Sequence, residues 1–169
     1  NAKGLVDFLA DYVATVSDGQ TRLETQVLPG VVRVSQPMGA YSPTGPNADS
    51  PTERARLAAL IEEAWTLAGA QMDLDLSGYD PQETAFVLFH AGVGRDLELI
   101  GTTLEKTPQD LPSLFFDQNA LSEFGFDDLA FDGFPIRNTL LMPRTETRPG
   151  TDFIADETFL LELSINGLL

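Results

Sequence analysis

A clearly delimited helix followed by an apolar run is the feature that most restricts how this chain can fold. Residues 50–53 (Ser-Pro-Thr-Glu) provide a capping serine, a proline suited to the first helical position, and a glutamate that completes a capping box. Apolar residues at helical spacing continue to about Ala70. The uninterrupted apolar run 85–89 comes next and is typical of a buried strand. A helix that leads into a buried strand predicts an α/β fold.

The other elements have weaker signals. Turn residues 17–19 (Ser-Asp-Gly) mark the end of the first helical pattern, and the Pro29-Gly30 pair separates two β-like segments. The acidic, phenylalanine-rich stretch 117–135 is read as a loop with a satellite core. The predicted elements are a helix over 5–16, strands over 23–27 and 31–34, a short helix over 107–115, a short strand over 139–143, and a helix from 157 onward.

Together these elements predict a three-layer α/β unit with a mixed, twisted sheet and packed helices. We expect residues 86–89 to form the central strand of that sheet. Helices 5–16 and 51–70 are expected to pack on the sheet and to form right-handed crossovers between parallel strands.

The charge balance excludes two classes of partner. Asp and Glu number 26 against 10 Lys plus Arg, which gives a formal net charge of -16. Nucleic acids and anionic membrane surfaces both require a basic protein surface. No apolar run approaches the length of a membrane span. We therefore expect neither a nucleic-acid partner nor a membrane span.

The chain also lacks the side chains that a catalytic zinc site requires. Such a site takes three protein ligands, mostly histidine, whereas this chain has one histidine, His90, and no cysteine. A site made only of carboxylates suits calcium or magnesium better. The sequence therefore predicts no zinc bound by its own side chains, and any Ser–His–Asp triad would have to use His90 as its base.

Four segments, taken in order, resemble the immune inhibitor A family of secreted bacterial metallopeptidases, which belongs to the metzincin-like zinc peptidases. They are the first helix with its exit, the strand 30–34, the helix segment 60–64, and the acidic turn 72–80 with the run 86–94. The last match is the most specific, because the family has a strand ending in an HAGxG pattern there. Here that pattern is His90, Ala91, Gly92, Val93 and Gly94.

The resemblance, which covers residues 5–98 best, implies a single, incomplete metallopeptidase-like domain over residues 1–169. Residues 1–98 would form its helix and sheet scaffold, and residues 99–169 a loop-rich cleft region that leads into the active-site helix. The family's zinc-binding HExxH helix has no counterpart in this chain. The implied protein is secreted, with no cofactor held by this chain alone. Its residues 162–169 resemble the approach to that helix.

Two functions remain open at this stage. In the first, the chain is a part that is not catalytic by itself, and peptide bonds are hydrolysed only if an HExxH helix follows Leu169 to supply zinc and a glutamate base. A peptide substrate would then pair with an edge strand of the sheet. In the alternative, the chain is a catalytically dead extracellular structural or interaction module on the peptidase scaffold.

The sequence is compatible with two roles for His90. It can be a hydrogen-bonded histidine at the carboxyl end of the strand. It can also line a substrate cleft, because ligands gather at strand carboxyl ends in α/β sheets. Gly92 and Gly94 would then bring the backbone close to a peptide, or would simply form a turn.

Clustered carboxylates raise the question of a calcium site. Asp73, Asp75 and Asp80 are the first candidate set, because hard cations take carboxylate oxygens. The alternative is a solvated acidic loop. A second, weaker set is Asp127, Asp128 and Asp132.

The end of the chain predicts a covering partner. Residues from Phe159 to Leu169 are mostly apolar and include no helix stop signal. An exposed apolar patch of this kind is rare on soluble monomers. The expected partner is a further segment of the same polypeptide or another chain.

Overall fold

The structure, a computed structural model, describes residues 2–43, 50–96 and 110–145. The chain divides into two compact units, Asn1–Val31 and Val32–Leu169. In chain order the elements are α1 (Ala2–Val16), α2 (Met38–Tyr41), α3 (Pro51–Gln71), β1 (Phe86–Val93), β2 (Leu114–Phe116), α4 (Gln118–Glu123), β3 (Ala130–Phe131), β4 (Phe134–Pro135) and β5 (Thr139–Thr145).

Helix α1 confirms the first helical prediction, and its end is stabilised by a Schellman motif. The Gly19 N–H donates to the Ala14 carbonyl at 2.7 Å, and the Asp18 N–H donates to the Thr15 carbonyl at 3.2 Å. Asp18 and Gly19 both have positive φ, 52° and 73°. A left-handed aspartate is tolerated because its short polar side chain costs less there than a larger one.

The predicted strands over 23–27 and 31–34 are wrong. Described residues 20–36 contain no strand, and the apolar side chains of Leu23, Val27 and Val31 are exposed, Val31 to 92%. Alternation of apolar residues favours a strand only where a neighbouring strand and a surface are available to cover it. Because α1 and the strands of the sheet belong to different units, the predicted packing of α1 on the sheet stays a prediction.

Helix α3 begins and packs as its sequence predicts. The Ser50 hydroxyl caps it by accepting a hydrogen bond from the Glu53 N–H at 3.3 Å, and Pro51 occupies the first helical position. Besides Glu53 in the first turn, the buried residues of the helix are all apolar, namely Leu57, Ala58, Leu60, Ile61, Ala64, Trp65 and Ala68.

The main sheet confirms an α/β fold with mixed strand directions. Its order is β1-β5-β2, with β1 parallel and β2 antiparallel to β5. The prediction that residues 86–89 are the central strand is wrong, because β5 lies in the middle and β1 is an outer strand of the described sheet. An apolar run indicates that the faces of a strand are covered, which does not determine its place along the hydrogen-bonding direction.

The connections also differ from the prediction. Both α1 and α3 precede β1, so neither can be a crossover between the parallel strands β1 and β5. The predicted helix over 107–115 is wrong for residues 110–115, where β2 begins at Leu114 and Leu111 bridges to Gly94 in parallel. The expected helix from 157 onward lies outside the described residues, as does the apolar run from Phe159 to Leu169.

Aromatic side chains form the centre of the larger unit. Trp65 meets Phe86 edge to face with ring centroids 5.1 Å apart and meets Phe131 at 6.4 Å. The Trp65 indole N–H donates to the Thr139 hydroxyl at 2.9 Å, so its polar atom is satisfied. Phe131 is fully buried. The stretch 117–135 therefore contributes Phe131 and Phe134 to the main core through their contacts with Phe86. Phe124 contacts Phe116 of β2.

A tight hairpin brings Phe131 to this core. Asp132 and Gly133 connect β3 to β4 with φ of 46° and 82°, the signature of a type I′ turn. Helix α3 approaches the turn so closely that a Cβ on Gly69 would lie 2.8 Å from the Asp132 nitrogen. The Asp-Gly pair between two phenylalanines was the sequence signal for this hairpin.

Among the helices of the described residues, none is both long and apolar enough to cross a membrane.

Candidate functional site

The candidate site is the carboxyl end of β1, where His90 occupies the last regular position of the β1–β5 ladder. His90 lies opposite Pro143 of β5, and the register shifts between His90 and Val93. Its side chain is 6% exposed. Since β1 and β5 are parallel, their carboxyl ends share one edge of the sheet, which is where α/β proteins place ligands.

A short contact determines the state of the imidazole. The Gly92 N–H donates to His90 Nδ1 at 3.1 Å. A nitrogen that accepts a hydrogen bond carries no proton in the neutral ring, so the proton of neutral His90 lies on Nε2. Nε2 is buried and has no hydrogen-bond partner in the structure. His90 is therefore a buried, neutral imidazole with one satisfied nitrogen and one unsatisfied N–H.

The His90 ring comes close to the backbone at Gly92, which leaves little room for a side chain at that position. A Cβ built on Gly92 would lie 3.1 Å from His90 Nδ1 and 3.3 Å from its Cε1. The predicted cleft residues His90 and Gly92 are thus brought together. Gly94 is not part of the same contact, because it is buried in the parallel bridge to Leu111.

Burial lowers the pKa of His90 to about 4 from its ordinary value of 6.5, and the negative charge of Asp96 opposes this shift only in part. At neutral pH the ring is therefore uncharged. Nδ1 is occupied by Gly92 and Nε2 carries the proton, so His90 in this arrangement can act neither as a general base nor as an Nε2 metal ligand.

Two residues that the sequence reasoning missed hold the loops around this end of the sheet. The Arg95 N–H donates to the Leu111 carbonyl at 3.1 Å, and its guanidinium donates to the Pro43 carbonyl at 2.5 Å. The Asp96 carboxylate accepts from the Ser113 N–H at 2.9 Å and from the Ser113 hydroxyl at 2.6 Å. The Arg-Asp pair directly after the glycine-rich strand end was the available signal.

Buried polar groups continue this network toward α3. The Ser42 hydroxyl, which is fully buried, donates to the Asp110 carbonyl at 2.8 Å. The Arg56 guanidinium donates to the Ser42 carbonyl at 3.2 Å. Segments 42–43, 95–96 and 110–113 are therefore tied to one another by named hydrogen bonds.

A second polar cluster lies between the segment before α2 and helix α3. The Tyr41 hydroxyl donates to Glu63 Oε2 at 2.5 Å, and the Ser35 N–H donates to Glu63 Oε1 at 2.6 Å. Burial, together with this bond, raises the pKa of Tyr41. The bond from Tyr41 lowers the pKa of Glu63. The cluster attaches residues 35–36 to α3, which is a structural role.

Two of the first calcium candidates, Asp75 and Asp80, form local turns. Asp75 accepts from the Ser77 N–H at 3.0 Å, and hydrogen bonding with the side chain and the backbone of Ser77 lowers the pKa of Asp75. Asp80 accepts from the Gln82 N–H at 2.8 Å. Asp73 is exposed.

The second set is no more convergent. Asp127 accepts a bond from the Ser122 hydroxyl, and Asp132 occupies the hairpin turn. Within residues 2–43, 50–96 and 110–145, no group of three or more His, Asp or Glu side chains is placed to hold a metal ion. Calcium binding by either set stays a prediction.

The chain matches no protein-family model, and comparisons with curated proteins and with solved structures gave no match.

Proposed function

We propose that this chain is the sheet-bearing part of a secreted metallopeptidase-like domain, not catalytic by itself, with the zinc ligands and the glutamate base supplied from outside residues 1–169. The observation that carries the proposal is the position of β1. It is an outer strand of the described mixed sheet, and the resembled His90–Gly94 pattern lies at its carboxyl end. That end is also the edge where parallel strands present ligand sites.

The state of His90 supports a structural role at the border of a substrate cleft rather than a catalytic role. Its Nδ1 is engaged by Gly92 and its Nε2 is buried, so the ring shapes the strand end instead of facing a reacting group. Peptide substrates bind to sheet edges through main-chain hydrogen bonds. An outer β1 offers such an edge, and the loops at 95–96 and 110–113 would border the bound peptide.

The test is to determine the coding sequence on both sides of residues 1–169, then to purify the complete gene product and the 169-residue chain. Zinc content is measured by mass spectrometry, and hydrolysis is measured with a fluorescence-quenched casein substrate. We expect stoichiometric zinc and chelator-sensitive hydrolysis only for the complete product. The 169-residue chain should bind no stoichiometric zinc.

The matched control is His90→Asn, which keeps an acceptor at the position of Nδ1. It should leave the zinc content of the complete product unchanged, because His90 is not a ligand. A complete product without zinc or hydrolysis would refute the peptidase proposal. Stoichiometric zinc on the 169-residue chain that is lost in His90→Asn would refute the role given to His90.

A second candidate, an extracellular interaction module, is favoured by the first helix. Phe8, Leu9 and Tyr12 of α1 are all exposed, which is unusual for three large apolar side chains on one helix. Dye binding to exposed apolar surface should fall in the Phe8→Ser, Leu9→Ser double variant and remain in Asp11→Asn, a control on the same helix. Equal dye binding by the wild-type chain, the double variant and Asp11→Asn would remove the support for this candidate.

A further inference from the structure

The ladder between β1 and β5 loses its regular register at its carboxyl end. His90 lies opposite Pro143, the last β5 residue in the regular part of the ladder. The regular register ends there and shifts before Val93 pairs with Thr145. By contrast, the amino end begins with a backbone bond from the Phe86 N–H to the Asn138 carbonyl at 3.0 Å. The strand end therefore depends on other contacts to stay in place.

The contact between His90 and Gly92 is one of these, and it requires a neutral ring. Nδ1 can accept the Gly92 N–H only while it is unprotonated. An imidazolium has protons on both nitrogens, so protonation would place two N–H donors against each other. It would also put a positive charge on a side chain that is only 6% exposed, with Nε2 unpartnered.

The charged neighbours do not remove this conflict. Asp96 favours the protonated ring, yet its carboxylate is already bound to Ser113. The Arg95 guanidinium is bound to the Pro43 carbonyl. On the neighbouring segments, Asp110 is buried beside the bridge residue Leu111, and Arg144 follows Pro143 and is exposed. Burial outweighs the field of Asp96, and the pKa of His90 falls to about 4.

We propose that the His90–Gly92 contact is an acid-sensitive switch: protonation of His90 releases the carboxyl end of β1, from Gly92 to the Gly94–Leu111 bridge, while the amino end stays paired with β5. Release would uncover the imidazole at the edge of the sheet where a ligand would bind. The switch depends only on contacts within the described residues, so its test does not depend on the proposed peptidase role.

The experiment is amide hydrogen exchange by NMR on the 169-residue chain between pH 4.5 and 7.5, corrected for intrinsic exchange rates. An opened strand end gives His90 its ordinary pKa of 6.5, so opening should be favoured roughly 30-fold more at pH 5 than at pH 7.5. The amides of Gly92 and Arg95 should show this acceleration. The amide of Phe86 should not.

His90→Asn is the matched variant, because its side-chain oxygen can accept from the Gly92 N–H and does not titrate. We expect the acceleration at Gly92 and Arg95 to disappear in it. Uniform acceleration along all of β1, or equal acceleration in His90→Asn, would overturn the proposal.

The imidazole signals provide a test that needs no variant, since the chain has a single histidine. Nitrogen-15 spectra of the wild-type chain should show the Nε2–H tautomer at pH 7 and a titration midpoint well below 6. An Nδ1–H tautomer, or a midpoint near 6.5, would overturn the proposal as well.

Discussion

The two ends of strand β1 are held in place by different physical means. At the amino end, Phe86 lies in an aromatic cluster with Trp65 and Phe131. At the carboxyl end, His90 is held by a bond from the Gly92 N–H, and the strand continues into loops fixed by bonds of Arg95 and Asp96. One end depends on buried apolar area and the other on a polar network.

This difference implies that the two ends respond to different perturbations. The free energy gained by apolar burial is proportional to the buried area and does not depend on pH in the physiological range. Hydrogen bonds that involve an imidazole depend on its protonation, and their net contributions are individually small. Contacts at the amino end should therefore contribute most to the free energy of unfolding. Contacts at the carboxyl end should determine how the opening of the strand depends on pH.

The largest expected effect is at the amino end. Phe131→Ala removes a fully buried ring that contacts both Trp65 and Phe86, and it should lower the free energy of unfolding by about 3–5 kcal/mol. Phe115→Ala on β2 is the control, because Phe115 is 56% exposed and its loss should cost less than about 1 kcal/mol. Urea unfolding followed by tryptophan fluorescence measures both. Similar losses in the two variants would contradict the core assigned here.

The next effect concerns pH. The folded-state pKa of His90, about 4, lies below its ordinary 6.5, so the unfolded chain binds the proton more readily. The stability due to the neutral ring is thus complete above pH 6.5 and is lost as the pH falls toward 4. A shift of this size corresponds to at most about 3 kcal/mol. The difference between wild type and His90→Asn in urea unfolding isolates it from the carboxylates, and a difference that is constant over this range would contradict the prediction.

The sequence predicted the amino end of β1 better than the carboxyl end, for reasons visible in single residues. Helix α3 carries its own start signal at Ser50, and the apolar run of β1 is a local pattern, so both elements were found. The position of β1 in the sheet depends on pairing with β5, more than 40 residues away, and no local pattern encodes it. The Asp132-Gly133 pair is a clear hairpin signal, although the acidic composition around it is also typical of a loop.

The candidate site was predicted in part. The hydrogen bond between His90 and Gly92 joins residues two positions apart, so a local sequence pattern can indicate it. The attachment of Asp96 to Ser113, and of Arg95 to Pro43, joins segments distant in sequence, so it could be recognised only in the fold. The predictions of strands over 23–27 and 31–34 are wrong because alternation alone does not provide a pairing partner.

Two glycines sharpen the comparison further. Gly69→Ala places a methyl group 2.8 Å from a backbone nitrogen of the hairpin, and backbone cannot move aside cheaply, so we expect a loss of about 1–3 kcal/mol. Gly92→Ala meets only the His90 ring, at 3.1 Å, and should cost less. Gly4→Ala, with nothing within 4 Å in α1, is the control and should not destabilise. Thermal unfolding of the three variants ranks them, and a larger loss for Gly92→Ala than for Gly69→Ala would contradict this ranking.

The smallest effect tests whether the carboxyl end is electrostatically coupled. Asp96 raises the pKa of His90 through its negative charge, against the dominant effect of burial. Asp96→Asn removes that charge, while its amide oxygen can still accept from the Ser113 N–H, so the His90 midpoint should fall below the wild-type value of about 4. Asp128→Asn, an exposed carboxylate in the turn before β3, provides the control and should leave the midpoint in place. Both midpoints are read from the single histidine by NMR titration. A rise in the midpoint of Asp96→Asn would mean that loosening the 95–96 loop exposes the ring to water, and that the loop, more than the charge, determines the state of His90.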